Sequence, residues 1–188
     1  MRRVVGVLLA AGAGTRMGRP KALVSDERGS WLLRACVTLR NGGCDDVVVV
    51  IGAEAPKARA LLGDLPVFIV EAADWGDGMS ASLRAGLDAL GEGADAALVH
   101  LVDLPDVGPE VIDRLIQDPS PDALARAVYD GRPGHPVLIG RDHWDGVTQE
   151  SVGDRGARDY LVAHGVLDVE CGDLAAGIDI DQPPSGLR

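Results

Sequence analysis

Apolar and polar positions along this chain fall into short blocks whose periodicity changes from strand-like to helix-like and back. Val4–Ala11 is a nearly continuous apolar run ending in glycines, which predicts a strand buried on both faces. Ser30 is placed to cap a helix running to about Asn41, with Gly42-Gly43 to stop it. Asp46–Gly52 (DVVVVIG) predicts a second buried strand, Ala55–Leu62 a helix and Val67–Val70 a third strand. Gly78–Leu90 carries Leu83, Leu87 and Leu90 on one helical face. Ala94–Val102 is another buried run, ending at Asp103, and Pro109 suits the first turn of a helix reaching about Gln117. Ala123–Tyr129 and Pro136–Ile139 read as two strands around a Gly/Pro turn, Asp154–His164 as a helix and Ile178–Asp181 as a short terminal segment.

Strands and helices alternating at this spacing predict an α/β fold with an open, mostly parallel sheet and helices on both faces. Ligands of such sheets bind beyond the carboxyl ends of the strands. Three features fall there: the loop after the first strand, Asp103, and the segment before Gly78. Without a repeat, a low-complexity tract or a linker, residues 1–188 are expected to form one domain.

Composition narrows the chemistry. The chain is 46% hydrophobic and 25% charged but only 3% aromatic, so its core must rest on aliphatic residues. No apolar run approaches the roughly 20 residues needed to span a bilayer, so no membrane partner is expected. The opening arginines and the apolar run after them have the layout of a secretory signal. The run is short, however, and its glycine turn leads into basic residues without a cleavage site, so a first strand is the preferred reading. Cys36, Cys44 and Cys171 fit neither a disulfide framework nor a zinc site, and suggest a reduced, cytoplasmic setting. The net charge of −11 argues against nucleic acid as partner. Its distribution says more: residues 1–21 hold Arg2, Arg3, Arg16, Arg19 and Lys21 and no acid, while the rest of the chain carries all 29 acidic residues. A basic island in an acidic protein suits a small polyanion such as a triphosphate, although Arg2 and Arg3 also read as solubilising charges at the terminus.

The island coincides with a glycine loop. Gly12, Gly14 and Gly18 are spaced G-x-G-x-x-x-G; a dinucleotide fingerprint would need glycine where Met17 stands, and no frame supplies a Walker A loop. What remains is a backbone able to approach phosphates and offer N–H groups, with Arg16 and Lys21 to neutralise a triphosphate and its leaving pyrophosphate. A plain strand-to-loop turn with solvated charges is the competing account. Asp103, just past an apolar strand and before Leu104-Pro105, is placed to ligate Mg²⁺, or else simply to form a turn. Asp179 and Asp181 lie two apart, so in extended backbone both carboxylates face one side and could share a cation. Gly78, Met79 and Ser80 open a helix whose free N–H groups, with the Ser80 hydroxyl, could hold phosphate or ribose oxygens; an ordinary N-cap would look the same. Trp75 could stack on a planar ring or sit at the edge of the core. Arg155 and Arg158 could reach an anionic acceptor or form a solvated helix face.

The run from Leu9 to Lys21 matches LAAGxGxRMGxPK, and the sequence thereby resembles the MobA-like nucleotidyltransferases. Five further segments in order resemble that family's motifs: DWGDGMSASLRAGL (74–87), LVDLPDV (101–107), RPGHPVLIG (132–140), GDRGARDYL (153–161) and GIDIDQPPSGL (177–187). The resemblance implies a Rossmann-like three-layer αβα sandwich of the nucleotide-diphospho-sugar transferase type. It assigns Leu9, Ala10, Ala11, Gly12, Gly14, Arg16, Lys21, Gly78, Met79, Ser80 and Ser82 to the nucleotide, and the metal to Asp103 with one of the terminal aspartates, Asp179 being preferred. His135, Asp154 and Arg155 go to the acceptor side. Arg16, Lys21 and Asp103 are the expected catalytic groups. In the last motif Gln182 and Pro184-Ser185 depart from the family pattern.

Within the family the sequence is most similar to molybdenum cofactor cytidylyltransferases, because Ala11 stands where GTP-using members usually carry a second glycine. That implies transfer of CMP from CTP to a molybdopterin-type phosphate, with Mg²⁺ as cofactor. A second branch with the same motifs, the nicotine blue oxidoreductases, also resembles GRPGHPVLIGRDHW and VECGDL; it implies a reduced nicotinamide cofactor instead. A third possibility, a non-catalytic carrier delivering cofactor to a molybdoenzyme, would not need Arg16, Lys21 and Asp103.

Overall fold

The computed structural model describes residues 2–182. Strand β1 (Val4–Ala10) is buried along its whole length. A small hairpin of β2 (Ser25–Asp26) and β3 (Gly29–Ser30) precedes helix α1 (Trp31–Asn41). The predicted cap is present: the Ser30 hydroxyl accepts from Leu33 N–H. Asp26 ties hairpin to helix by bonds to Arg34 (2.5 Å) and to Trp31 Nε1 (2.9 Å), and the Arg34 guanidinium pushes its pKa down to about 2. There follow β4 (Asp46–Ile51), α2 (Ala55–Leu62), β5 (Phe68–Glu71), α3 (Met79–Asp88) and β6 (Ala96–Leu101). The chain then forms α4 (Pro109–Leu115), β7 (Leu124–Tyr129), β8 (Arg132–Gly140), α5 (Trp144–Glu150), α6 (Arg158–Ala163) and β9 (Leu167–Glu170).

Seven strands make one sheet in the order β5-β4-β1-β6-β8-β7-β9. All neighbours are parallel except β8, which is antiparallel to both β6 and β7. The β7–β8 hairpin turns on Asp130-Gly131, both with positive φ (51° and 75°), as a two-residue turn matching strand twist requires. Alternate β1 side chains serve two cores. Val4, Leu8 and Ala10 meet α1, α2 and α4; Val5, Val7 and Leu9 meet α3, α5 and α6. The result is the expected three-layer sandwich. Helix α3 lies close on the sheet because Gly86 has no side chain: a Cβ there would come within 2.6 Å of Val7. The chain runs from β1 outward to β4 and β5, then returns to β6 on the other side of β1. That reversal opens a crevice at the carboxyl end of β1.

Several expectations are corrected. The helix expected from Asp154 begins at Arg158, because Gly153 and Gly156 have positive φ (59° and 54°) and break the turn before it. His135 is not in a turn but within β8, which extends back to Arg132. The terminal segment 178–181 is irregular backbone, with Ile180 N–H bonded to the Asp103 carbonyl (3.0 Å). The departures expected at Pro184-Ser185 lie outside the described residues.

Candidate active site

The crevice is a cleft of about 690 Å³ walled by the loop after β1, the start of α3, the end of β6, β8 and the segment 177–181. The glycine loop is pinned by two apolar anchors, Met17 within it and Ala22 just after it, 7% and 1% exposed. Around Met17, residues Gly12, Thr15, Arg16, Gly18 and Arg19 face solvent. Gly14 is the one position that no other residue can fill. Its φ is +61°, and a Cβ would stand 2.0 Å from the Arg19 carbonyl oxygen. Gly14→Ala is therefore expected to cost at least the roughly 1–3 kcal/mol of a strained left-handed residue and to open the loop. Urea unfolding, together with loss of nucleotide affinity, checks this.

Lys21 sits on a short 3-10 turn, Lys21–Leu23, directly after the loop. Its Nζ donates to Asp103 Oδ2 and to Asp181 Oδ1, both at 2.6 Å, and Arg16 pairs with the other Asp181 oxygen at 2.5 Å. Burial alone would lower the Lys21 ammonium, but its bonds to Asp103 and Asp181 outweigh that and raise its pKa above the usual lysine value. The same bond to Lys21 holds Asp181 below the usual carboxylate range. Asp103 stands just past β6 and is positioned by two backbone ties, Val102 N–H to the Leu9 carbonyl and Ile180 N–H to the Asp103 carbonyl. The second tie carries the terminal segment across the strand end, flanked by bonds from Ala176 and Gly177 N–H to Asp106. As a result Asp103, Asp179 and Asp181 each bring a carboxylate oxygen within 4.8 Å of the others.

That arrangement fits a divalent cation. Three carboxylates so close repel one another unless a cation intervenes, and the ammonium of Lys21 stands in for one between two of them. Asp103 Oδ1 is buried and has no hydrogen-bond partner among the described residues, an acceptor left to be satisfied. Hard oxygen donors are what Mg²⁺ prefers. Asp179 was the preferred terminal ligand on resemblance. The geometry offers Asp181 equally, and Asp181 is the one tied to Lys21 and Arg16.

Leu9, Ala10, Ala11, Gly12, Gly14, Arg16, Lys21, Gly78, Met79, Ser82, Asp103, His135, Asp154 and Asp179 all line this cleft, as does Trp75. Ser80 and Arg155 do not. Ser80 is 1% exposed and its hydroxyl donates to the Gly153 carbonyl (2.7 Å), so it locks α3 to the 153–156 loop. Arg155 reaches Asp159 instead (2.7 Å). His135 is half-buried; burial lowers its pKa to about 4 although the Asp179 carboxylate pulls the other way, so near neutral pH it offers an uncharged ring. His100, on β6, is fully buried and pushed down to about 3, with Nδ1 unpartnered among the described residues. His143 and His164, just before α5 and just after α6, pack with Tyr160 and do not line the cleft.

Two contributors were not legible in sequence. Asp106 pins the terminal segment, and only its place in the Asp-x-Pro-Asp run hinted at it. Gly52 lets Trp75 pack against the cleft wall, since a Cβ there would be 2.6 Å from the Trp75 ring.

Residues 6–168 match the MobA-like NTP transferase domain. The chain is 37% identical to the nicotine blue oxidoreductase of Paenarthrobacter nicotinovorans, over 95% of this chain and 92% of that protein. It is 36% identical to the molybdenum cofactor guanylyltransferase of Rhodobacter capsulatus, over 76% of this chain and 66% of that one. A Mycobacterium tuberculosis protein solved in complex with manganese superposes with a TM-score of 0.79 at 24% identity, covering 95% of this chain and 94% of that one. Among the described residues no helix is long and apolar enough to cross a membrane.

Proposed function

Since the chain belongs to the MobA-like NTP transferase family, we propose that it transfers CMP from CTP to a phosphate acceptor of the molybdopterin type, with Mg²⁺, releasing pyrophosphate. The observation that carries this reading is the convergence of Asp103, Asp179 and Asp181 around Lys21, facing a glycine loop at the switch point of the sheet. Loop N–H groups from Gly12 to Gly14 and the start of α3 at Gly78-Met79 are the donors for phosphate oxygens. Mg²⁺, held by Asp103 with Asp179 or Asp181, would neutralise charge on the phosphates during displacement. Arg16 and Lys21 orient the triphosphate and balance the leaving pyrophosphate. An oxygen of the acceptor phosphate forms the new bond to the α-phosphorus as the bond to pyrophosphate breaks. That oxygen is already ionised, so the neutral His135 need not take a proton; placement and charge do the catalysis.

Ala11 supports CTP over GTP. It is 3% exposed in the cleft wall, and its methyl group occupies space that a glycine would leave to a larger base. The guanylyltransferase relative makes GTP the main competitor.

The nicotine blue oxidoreductase relative, similar over nearly the full length, supports a second reading: hydride transfer from a reduced nicotinamide cofactor in the same cleft. Against it stand Met17 at the fingerprint glycine and three convergent carboxylates, which would repel a pyrophosphate unless a cation is present. Thermal shift separates the two. At about a hundredfold excess over Kd, CTP with Mg²⁺ is expected to raise Tm by roughly 5–10 °C, and NADPH to leave it unchanged; the reverse pattern would establish the redox reading. Pyrophosphate release across CTP, GTP, UTP and ATP then ranks the base.

A further inference from the structure

Beyond His135 the cleft continues into a second chamber of about 460 Å³, within the range of small-molecule sites. The two spaces share Leu9, Met79, Gly134, His135 and Asp154, so one ligand can occupy both. The floor of the second is aliphatic: Leu83, Val99, Val137, Ile139 and Leu161. Its rim carries three arginines. Arg126, Arg155 and Arg158 border it with Asp154, Arg126 and Arg155 being paired with Asp168 and Asp159.

Arg126 differs from the other two. Its side chain is only 14% exposed, projecting from β7 on the α6 side of the sheet. Its Nε donates to Asp168 Oδ1 at 2.6 Å, and no other partner among the described residues engages its Nη groups. Its Nη groups are not among the buried atoms left without a partner, so the fork is open to a ligand, and it matches carboxylate, phosphate or sulfonate oxygens. Lys21 and Asp103 line the first space and not the second, while Arg126 lines the second and not the first.

We propose that the second chamber holds the body of the acceptor and that Arg126 determines specificity by binding an oxyanion on it, remote from the phosphate that reacts. The acceptor class is a ring-bearing phosphate, its flat face against the aliphatic floor, that carries a further oxyanion at its far end. The aliphatic floor takes the ring, and the open fork of Arg126 balances the distal charge. The inference rests on the nucleotidyl-transfer reading for the reacting end; the chamber's preference for an apolar anion stands apart from it.

The test uses anilinonaphthalene sulfonate, an aromatic body with one oxyanion, and N-phenylnaphthylamine, a similar body without the charge. Fluorescence titration of the native protein is expected to give a saturable sulfonate site. Arg126→Leu should weaken it at least tenfold, Arg126→Lys by less, and the neutral probe should be unaffected by either. Asp168→Asn removes the partner that holds Nε but leaves the fork; it should keep the sulfonate site, whereas a merely structural Arg126–Asp168 pair predicts that Asp168→Asn and Arg126→Leu behave alike. Equal sulfonate affinity in wild type and Arg126→Leu, absence of a saturable site, or parallel loss of both probes would overturn the proposal. The thermal shift with CTP and Mg²⁺ is measured on the same variants. Its absence in wild type would refute nucleotidyl transfer, and its persistence in Arg126→Leu is expected because the nucleotide side is untouched.

Discussion

Asp103→Asn is expected to lower nucleotidyl transfer about 10²–10³-fold, the effect of losing one well-placed group that stabilises transition-state charge, with Tm unchanged or slightly raised. The two halves of that expectation come from the same geometry. Asp103 is buried to 14% exposure with one oxygen on Lys21 and the other without a partner. In the absence of a cation that second oxygen contributes nothing to the fold and adds to the repulsion with Asp179 and Asp181. Asparagine keeps the shape and removes the charge, so the fold loses one half-buried ion pair and is relieved of one like-charge contact. Removing one partner of a buried pair is costly when it strands the other charge, but here Lys21 keeps its bond to Asp181, so the loss is small. Function should therefore fall without stability, the usual sign of a group placed for chemistry. Steady-state pyrophosphate release beside differential scanning calorimetry measures both. Full turnover in a folded Asp103→Asn protein would remove Asp103 from the metal site.

The sheet was legible in the sequence wherever a strand is covered on both faces. β1, β4 and β6 read as unbroken aliphatic runs because parallel strands under two helical layers have no polar side to show. β9 was missed because Leu167–Glu170 is an edge strand, three of its four residues exposed, and edge strands lack that signature. The β2–β3 hairpin is two residues a side and leaves no periodicity to detect. Helix α5 was also missed: Gly146 lowers its helical propensity, yet glycine is needed there because a Cβ would meet the Tyr160 ring at 2.5 Å. At the site, motif residues close in sequence to a strand end line the cleft, whereas long-range partners leave no local pattern. Asp181 reaches Lys21 across 160 positions, which no local pattern encodes. Ser80 illustrates the opposite error: its spacing suits a phosphate contact, but it stands two residues, about 200°, around α3 from Ser82 and turns inward to Gly153 while Ser82 remains on the cleft. Arg126 lay within a strand, where an arginine reads as a solvent-facing position until the neighbouring helix is seen to cover it.

Lys21→Met separates the two duties proposed for one ammonium, and its two effects should have opposite signs. Nucleotidyl transfer is expected to fall about 10²–10³-fold, because a cation bearing on the phosphates in the transition state is lost. Binding of Mn²⁺ without nucleotide is expected to tighten at least tenfold, about 1.4 kcal/mol or more. The reason is occupancy. Lys21 Nζ lies 2.6 Å from an oxygen of Asp103 and 2.6 Å from one of Asp181, where a divalent ion would draw its ligands. Its raised pKa keeps it charged throughout the neutral range. An incoming metal must displace that charge: two unit charges about 4 Å apart repel by roughly 4 kcal/mol at an effective dielectric of 20, and a divalent ion doubles that to about 8. A triphosphate gives the displaced ammonium somewhere to go, so metal and nucleotide should bind together in wild type and independently in the variant. Without metal, Lys21→Met leaves three carboxylates facing one another; its Tm should fall and recover with Mn²⁺ more than wild type responds. Manganese titration by electron paramagnetic resonance, with Tm read in chelator and in Mn²⁺, tests both parts. Equal metal affinity in the two proteins would mean that Lys21 swings clear without cost and does not guard the carboxylates. No metal binding in either would remove the cation from the site altogether.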